Sequence, residues 1–531
     1  MNTTGNTQLL PQQAPSAAGR RAWLALTVLM LPLLLVSMDV SVLYFAVPFI
    51  SKDLHPSSTQ QLWIFDIYGF VLAGLLLTMG ALGDRIGRRR LLLGGALAFG
   101  AASTLAAYAG SAGTLIAARA VLGIAGATLM PSTLGMIRNL FPDPKQRGRA
   151  IAIWTAVTSA GIAVGPVLSG ILLEHFWWGS VFLVNLPAMV LLLVLGPVLL
   201  PETPRLRGGR FDVLSSVLSL AAVLPLVYGI KELARTGFQT LPTAAILVGL
   251  LFGAVFVRRQ RTHPHALIDL ALVRSRGFSS SIVMNVLGMF GVVGMAIFVT
   301  QYLQLVLGMS TLTAALWSVL PSIVVGGTAP AAAALSGRLG KARVIAGGFG
   351  LMTVGFAVLA TVGAHSPLWL VLVAAAVYAS GAIALMTQVS EVVMAAAPAE
   401  RASTASALLE SGTELGGALG MAILGSIGTA VYRADIGHHL PAGLPAGAAA
   451  RIRDSLGGTE VSLAQLPAGT AHEVLAAARD AFSGGMQAAA IAAAVVMAVG
   501  AVLATVLLRH LPAGAAAAEP AVPQERVAQP V

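Results

Sequence analysis

The stretch LTVLMLPLLLVSMDVSVLYFAVPFI, Leu26 to Ile50, decides the fold, because it is apolar apart from a few hydroxyl side chains and carries one charged group, the carboxylate of Asp39. A helix crosses the ~30 Å hydrocarbon core of a bilayer with ~20 residues, and this run exceeds that. In lipid every backbone polar group must find its partner within the segment or in a closed barrel. The run lacks the two-residue alternation of a barrel strand, so it reads as a membrane helix. The next run, LWIFDIYGFVLAGLLLTMGAL, Leu62 to Leu82, reads the same way and also carries one acid, Asp66. An ionised side chain at such depth costs ~2.5–3.5 kcal/mol on insertion scales. A membrane carboxylate can take up a proton or hold a cation. A protein that does either, but not both at once, can exchange one for the other.

Outward from these two runs the pattern repeats. The chain has 531 residues, of which 57% are hydrophobic and 10% charged, with mean hydropathy +0.85. Soluble domains carry ~25% charged residues. Fourteen spans are expected, at about 23–50, 62–82, 91–109, 113–137, 149–173, 179–200, 212–231, 241–257, 278–306, 311–335, 344–363, 367–394, 402–431 and 483–508. With the N-terminus placed in the cytoplasm, 24 of the 32 Lys and Arg fall on the cytoplasmic side and 7 on the other, with Arg119 inside a span. That split follows the positive-inside rule and puts both termini in the cytoplasm. The net charge of +11 then belongs to loops facing anionic lipid rather than to a nucleic-acid surface.

The expected fold class is all-α, a polytopic membrane protein. Its parts are a cytoplasmic tail (1–22), an N-terminal six-helix bundle (23–200), a linker with two further membrane helices (201–277), and a C-terminal six-helix bundle (278–508). A long outer loop, 433–482, interrupts the second bundle, with an amphipathic helix expected near 471–482. The segment 509–531 reads as a disordered tail, rich in Ala and Pro. There is no cysteine, hence no disulfide or thiolate metal site. No phosphate-binding GxxxxGK[ST], metal-ligand cluster or nucleophile elbow is present, so neither an enzyme nor direct ATP drive is expected, and no cofactor or metal.

Four motifs narrow the function. GALGDRIGRRRLLL, Gly80 to Leu93, follows span two. Gly80, Gly83 and Gly87 permit close approach and a tight turn, Asp84 can cap a helix or pair with an arginine, and Arg85 and Arg88 to Arg90 hold the loop at the cytoplasmic face. A partial copy, SGRLGKAR, Ser336 to Arg343, follows span ten, as an internal repeat predicts. In span four, RAVLGIAGATLMP sets Arg119 alone in an apolar helix, where it needs a carboxylate, a carbonyl or water. In span five, SAGIAVGPVLSGIL places Gly161, Gly165, Pro166 and Gly170 on one side of the helix, for tight packing. In span thirteen, SALLESGTELGGALG puts Glu410 and Glu414 four residues apart on one helix face. Two carboxylates that close disfavour both being ionised and favour keeping a proton between them.

The loop after span two resembles the signature of the major facilitator superfamily, in which that loop locks the two bundles when the inner side is shut. GPVLSG after an upstream glycine resembles the antiporter motif of drug exporters. WIFDIYGFVLAG, SMDVSVLYFAVP and the span count are similar to the fourteen-helix drug:proton antiporter branch, nearest its quaternary-ammonium group. The resemblance is dense over roughly residues 25–205. It implies proton-driven export of cationic amphiphiles by alternating access, with Asp39, Asp66, Glu410 and Glu414 recognising the cation or the proton. It leaves Arg119 open between coupling and structure. Related exporters of dicationic drugs carry an acid in span ten, and this chain has none there, which puts divalent substrates in doubt. Tyr44, Phe45, Trp63, Tyr68 and Trp154 are candidate cavity aromatics. Gln301, Gln304 and Asn285 either line the cavity or bridge helices. Rival readings are a narrow exporter of a self-made antibiotic, suggested by an Ala/Gly/Arg-rich composition typical of a high-GC bacterium, an uptake symporter, and a membrane sensor or scaffold.

Overall fold

The structure, a computed structural model, describes residues 19–202, 213–236, 238–262, 274–325, 327–396, 402–441 and 444–509. The expected N-terminal tail up to residue 18, the linker stretches 203–212 and 263–273, and the C-terminal tail from 510 lie outside the described residues, as does the side chain of Asp84.

Among the described residues the chain is helical with no strand. The first half contains α1 (Arg20–Leu54), α2 (Ser58–Ile86), α3 (Arg88–Ala107), α4 (Ala112–Leu140), α5 (Pro144–His175), α6 (Ser180–Leu183) and α7 (Asn185–Leu199). A hairpin of α8 (Val213–Thr236) and α9 (Thr240–Thr262) follows. The second half contains α10 (Arg276–Gln301, prolonged by a π turn over Tyr302–Val306), α11 (Thr311–Val325), α12 (Thr328–Leu339), α13 (Lys341–Leu359), α14 (Leu368–Ala396), α15 (Ala402–His439), the short α16 (Ala446–Asp454) and α17 (Leu456–Leu463), and α18 (Ala468–Leu507). Eleven helices are long and apolar enough to cross a membrane, and shorter apolar stretches at Val164–His175, Val217–Ile230 and Thr311–Pro321 lie in α5, α8 and α11.

Local signals set the helix limits. Ser57 caps α2 in a reciprocal box with Gln60, Ser111 caps α4 with Thr114, and Asp143 accepts from the Gln146 amide with Pro144 opening α5. Gly87 (φ 103°) ends α2 and starts α3, and Gly340 (φ 84°) does the same between α12 and α13. Only glycine takes such φ without strain, and the two positions are the same corner of the motif and its partial copy.

α1 packs on α5 and α7, α2 and α3 on α4, and α3 on α7. In the second half α10 packs on α15, α14 and α18, α13 on α14 and α18, and α11 on α14. The halves meet along α2 with α15, α5 with α11, and α1 with α10. α8 lies over the seam, touching both α2 and α15, and α9 packs behind it.

The two ends of the molecule differ. At the end carrying residues 433–482, the loop face, hydrogen bonds tie the halves together. Gln304 Nε2 donates to the Phe45 carbonyl (3.3 Å), and Glu174 Oε1 accepts from Ser310 Oγ (2.8 Å) and the Leu312 amide (3.3 Å). At the other end, the basic face, arginines turn back onto their own half: Arg88 donates to Pro131 O (3.2 Å), Arg89 to Leu200 O (3.0 Å), and Arg90 pairs with Glu202 (3.2 Å). Lys341 pairs with half-exposed Glu391 (3.0 Å) in the second half.

The long loop is more ordered than its composition suggested. Residues 433–439 continue α15, α16 and α17 fold as two short helices, and the helix expected at 471–482 is the beginning of the 40-residue α18. A small core explains this: Ile452, Leu456 and Val474 are fully buried, and the Tyr432 hydroxyl meets Ile452 O (2.8 Å) and Thr459 Oγ1 (3.1 Å). Asp454 accepts from the Ser58 amide (2.6 Å), Ser58 Oγ (3.0 Å) and Arg433 (3.2 Å), so this small unit also caps α2 of the opposite half.

Candidate functional site

Arg119 is the centre of the first-half site. It is fully buried on α4, and one guanidinium nitrogen makes an ion pair with Asp39 of α1. Its Nε donates to the Ile64 carbonyl of α2 (3.0 Å), and its guanidinium lies 4.6 Å from the centre of the Tyr68 ring. A buried ion pair repays its desolvation only with further polar partners, and the carbonyl and the ring supply them. Of the partners the sequence allowed for Arg119, it has both a carboxylate and a backbone carbonyl. Asp66 lies two residues beyond Ile64 on the same helix, 2% exposed. The span-four glycines bring α2 this close: a Cβ at Gly123 would stand 2.7 Å from the Tyr68 carbonyl.

α15 supplies the other side. Glu410 and Glu414 are half-buried, one turn apart, and neither pairs with a Lys, Arg or His among the described residues. Glu414 reaches across the seam to α2, where a Cβ at Gly69 would lie 3.7 Å from its Oε2. It is near enough to Asp39 and Glu410 to interact with both electrostatically. Tyr44 is in similar range of Asp66, Glu414, Arg119 and Tyr378, and Tyr68 of Asp39, Glu414 and Arg119. Asp39, Asp66 and Glu414, from both halves, thus lie near two buried tyrosines and Arg119, with Glu410 beside Glu414. In a low-dielectric interior such an excess of negative charge needs a proton or a cation to balance it.

Other expected residues are distributed differently. Tyr44 stacks near Phe65 (5.5 Å between ring centres) beside the acids. Trp154 donates to Thr133 Oγ1 (3.2 Å), bridging α5 and α4. Trp63 packs against Phe70, Val227, Ala418 and Ala422, where α8 covers the seam. Gln301 lies at the loop face, lining a small, partly open cavity of about 60 Å³ with Ser58, Tyr432 and Asp454. Gln304 and Asn285 bridge helices, the latter donating to Leu409 O (3.0 Å) and Thr413 Oγ1 (2.8 Å). The span-five motif seats α5 on α1. A Cβ at Gly161 would stand 2.8 Å from Leu34 O and one at Gly165 would collide with Ser41 Oγ, but Gly170, expected on the same side, is half a rotation away from Gly161 and faces Leu312 of the opposite half. Pro166 lies inside α5, which runs on to His175. Sequence reasoning passed over Gly69 and Tyr378. Tyr378, stacked on Phe356 at 4.8 Å, stands in an alanine-rich run that nothing distinguishes from packing.

Comparison with known proteins agrees with this architecture. The chain is 43% identical to the multidrug efflux pump LfrA of Mycolicibacterium smegmatis, over 92% of this chain and 97% of that one. It is 37% identical to the methyl viologen resistance protein SmvA of Salmonella typhimurium (87% and 93%), and 34% identical to the tetracenomycin C resistance and export protein of Streptomyces glaucescens (76% and 76%). Among solved structures, a bacterial homologue of the human lysosomal transporter Spinster, inward-facing and unoccupied, superposes with a TM-score of 0.61 at 17% identity, covering 92% of this chain and 97% of that one. The family profile of the Major Facilitator Superfamily matches residues 29–421. The chain belongs to the Major Facilitator Superfamily.

Proposed function

We propose that this protein exports amphipathic, cationic drugs across a bacterial cytoplasmic membrane in exchange for protons. One observation carries the reading: the Asp39–Arg119 pair of the first half lies within electrostatic range of Glu414, which reaches across the seam from α15 with Glu410 one turn away. The relatives named as efflux pumps and resistance proteins support the direction and the substrate class. Fourteen spans, two six-helix bundles (23–200 and 278–508) with α8 and α9 added between them, and both termini in the cytoplasm complete the proposal. The loop face is then the outer face, closed here, and the basic face is the inner one.

The cycle follows from charge balance. With the inner side open, the acids are exposed to a near-neutral medium, lose a proton and attract a cation, with Tyr44 and Tyr68 offering ring faces to it. With the outer side open, a proton from the more acidic medium neutralises them and the cation leaves. The outer contacts of Asp454 with Ser58, and of Gln304 with Phe45, must part in that half-cycle. One proton exchanged for one monovalent cation moves no net charge, so the pH gradient drives that exchange, and each proton beyond the charge of the cargo adds ~2.3 kcal/mol at 100 mV.

The likeness to a methyl viologen resistance protein bears on valence, since methyl viologen is a dication. The missing acid in span ten argues for monovalent cargo, whereas four central carboxylates have charge enough for two positive centres. Dye efflux from inverted membrane vesicles, energised by a pH gradient and run against a panel of mono- and divalent cations, tests the function. Cation accumulation that collapses with an uncoupler is the expected result. Accumulation indifferent to the gradient contradicts the proposal.

A further inference from the structure

Away from the central acids, the α8–α9 hairpin carries an open groove of about 660 Å³, within the ~300–1,000 Å³ range of ligand sites. Its walls include Ala222 and Leu226 of α8 with Leu250 and Val257 of α9, and one end is bounded by Arg258 and Arg261. Both arginines are exposed, and among the described residues neither has a hydrogen-bond or ion-pair partner for its guanidinium. Their neighbours are engaged: Arg259 and Gln260 both reach Ser215 (3.2 and 2.8 Å), which closes the hairpin at this end. The groove exists because the helices pack tightly on one side only. A Cβ at Gly249 would lie 2.7 Å from Ala222 O, whereas one at Gly253 would meet nothing nearer than Ala222 Cβ at 3.8 Å.

We propose that this groove binds one anionic glycerophospholipid, its phosphate held by Arg258 and Arg261 and one acyl chain lying against Ala222, Leu226 and Val257. An apolar trough ending in two exposed guanidiniums that pair with no described residue matches a molecule with an apolar tail and an anionic head. Basic pockets at the ends of membrane helices recognise such headgroups. α9 is the membrane helix with the smallest buried share, so the trough opens toward lipid. The site also touches the working seam: Val223 lines the groove and packs on the cluster of Phe70, Val227, Ala418 and Ala422 that joins α2, α8 and α15. The lipid therefore braces the helix that covers the junction of the two halves.

Native mass spectrometry of the purified full chain, titrated with phosphatidylglycerol or phosphatidylcholine, tests this. Wild type is expected to retain phosphatidylglycerol about tenfold better than phosphatidylcholine, each arginine near a phosphate contributing a comparable share. The Arg258→Gln/Arg261→Gln variant is expected to lose that preference, while Arg338→Gln/Arg343→Gln, an equal charge loss on the same face, keeps it. Gly253→Leu, which fills the trough, is expected to weaken retention of both lipids. Equal retention of the two lipids by wild type, a preference that survives loss of Arg258 and Arg261, or a dimer that covers the hairpin and excludes lipid would overturn the proposal.

Discussion

Asp39 and Glu414 lie on opposite sides of the seam, in opposite electrostatic company. Asp39 is buried and paired with Arg119, which is itself held by the Ile64 carbonyl and the Tyr68 ring. Glu414 is half-buried beside Gly69, with Glu410 one turn away and no basic partner among the described residues. In the first half the charge of Asp39 is balanced by Arg119. The second half holds charge that only a proton or a bound cation can balance. On the function proposed above, this difference puts the fixed part of the site on α1, α2 and α4, and the exchanging part on α15.

The largest expected effect is at the balanced side. Asp39→Asn leaves the Arg119 charge buried without its carboxylate, which costs ~3–5 kcal/mol for a pair of this kind. Proton-coupled dye efflux in vesicles should vanish while the protein still inserts. Asp39→Asn/Arg119→Gln should recover thermal stability without recovering efflux. Undiminished pumping by the single variant would break the comparison on that side.

Next comes the exchanging side. Glu414→Gln removes one charge worth ~1.4 kcal/mol of attraction, so cationic dye should bind about tenfold more weakly, and binding should lose most of its pH dependence. Glu410→Gln should do the same to a smaller degree, because Glu414 is the one that reaches across to α2. Identical losses from both would show that the pair acts as one titrating unit.

A third test moves the frame and leaves the charges alone. Gly165→Ala drives a methyl into Ser41 Oγ on the Asp39 helix, an overpacking cost of ~1–3 kcal/mol. The melting temperature should fall, and Ser41→Ala in the same chain should restore it. No change on melting would mean that α5 does not set the position of α1. The smallest effect is expected at the outer cap. Asp454→Asn weakens its contacts with Ser58 and Arg433 by ~1 kcal/mol. Since the chain has no cysteine, a single cysteine introduced at Gln301 should react faster with a water-soluble maleimide in that variant. An unchanged rate would remove the cap from the account.

Much of this was legible in the sequence because membrane helices announce themselves. Each of the eleven long apolar helices falls on an expected span, since bilayer thickness and backbone satisfaction leave few alternatives. The acids and Arg119 stood out because each is costly where it lies. That the two halves would bring them together was readable only through the family resemblance. What stayed hidden has no cost signal. Gly69 and Tyr378 look like ordinary packing residues. Asp454 lies in an Ala/Gly/Pro-rich loop whose small core, around Ile452 and Leu456, no periodicity reveals. Trp63 and Gln301 were plausible liners by residue type, yet the side that each presents is decided by α8 and by the outer cap.

The central claim is that the second-half carboxylates exchange a proton for a cation. The direct measurement is proton release when a monovalent cationic dye binds to the purified chain in lightly buffered detergent. Linkage predicts a release approaching about one proton per dye in the wild type, and much less in Glu414→Gln/Glu410→Gln. Dye binding with no proton released by the wild type, or with the same release after both glutamates are replaced, would contradict it.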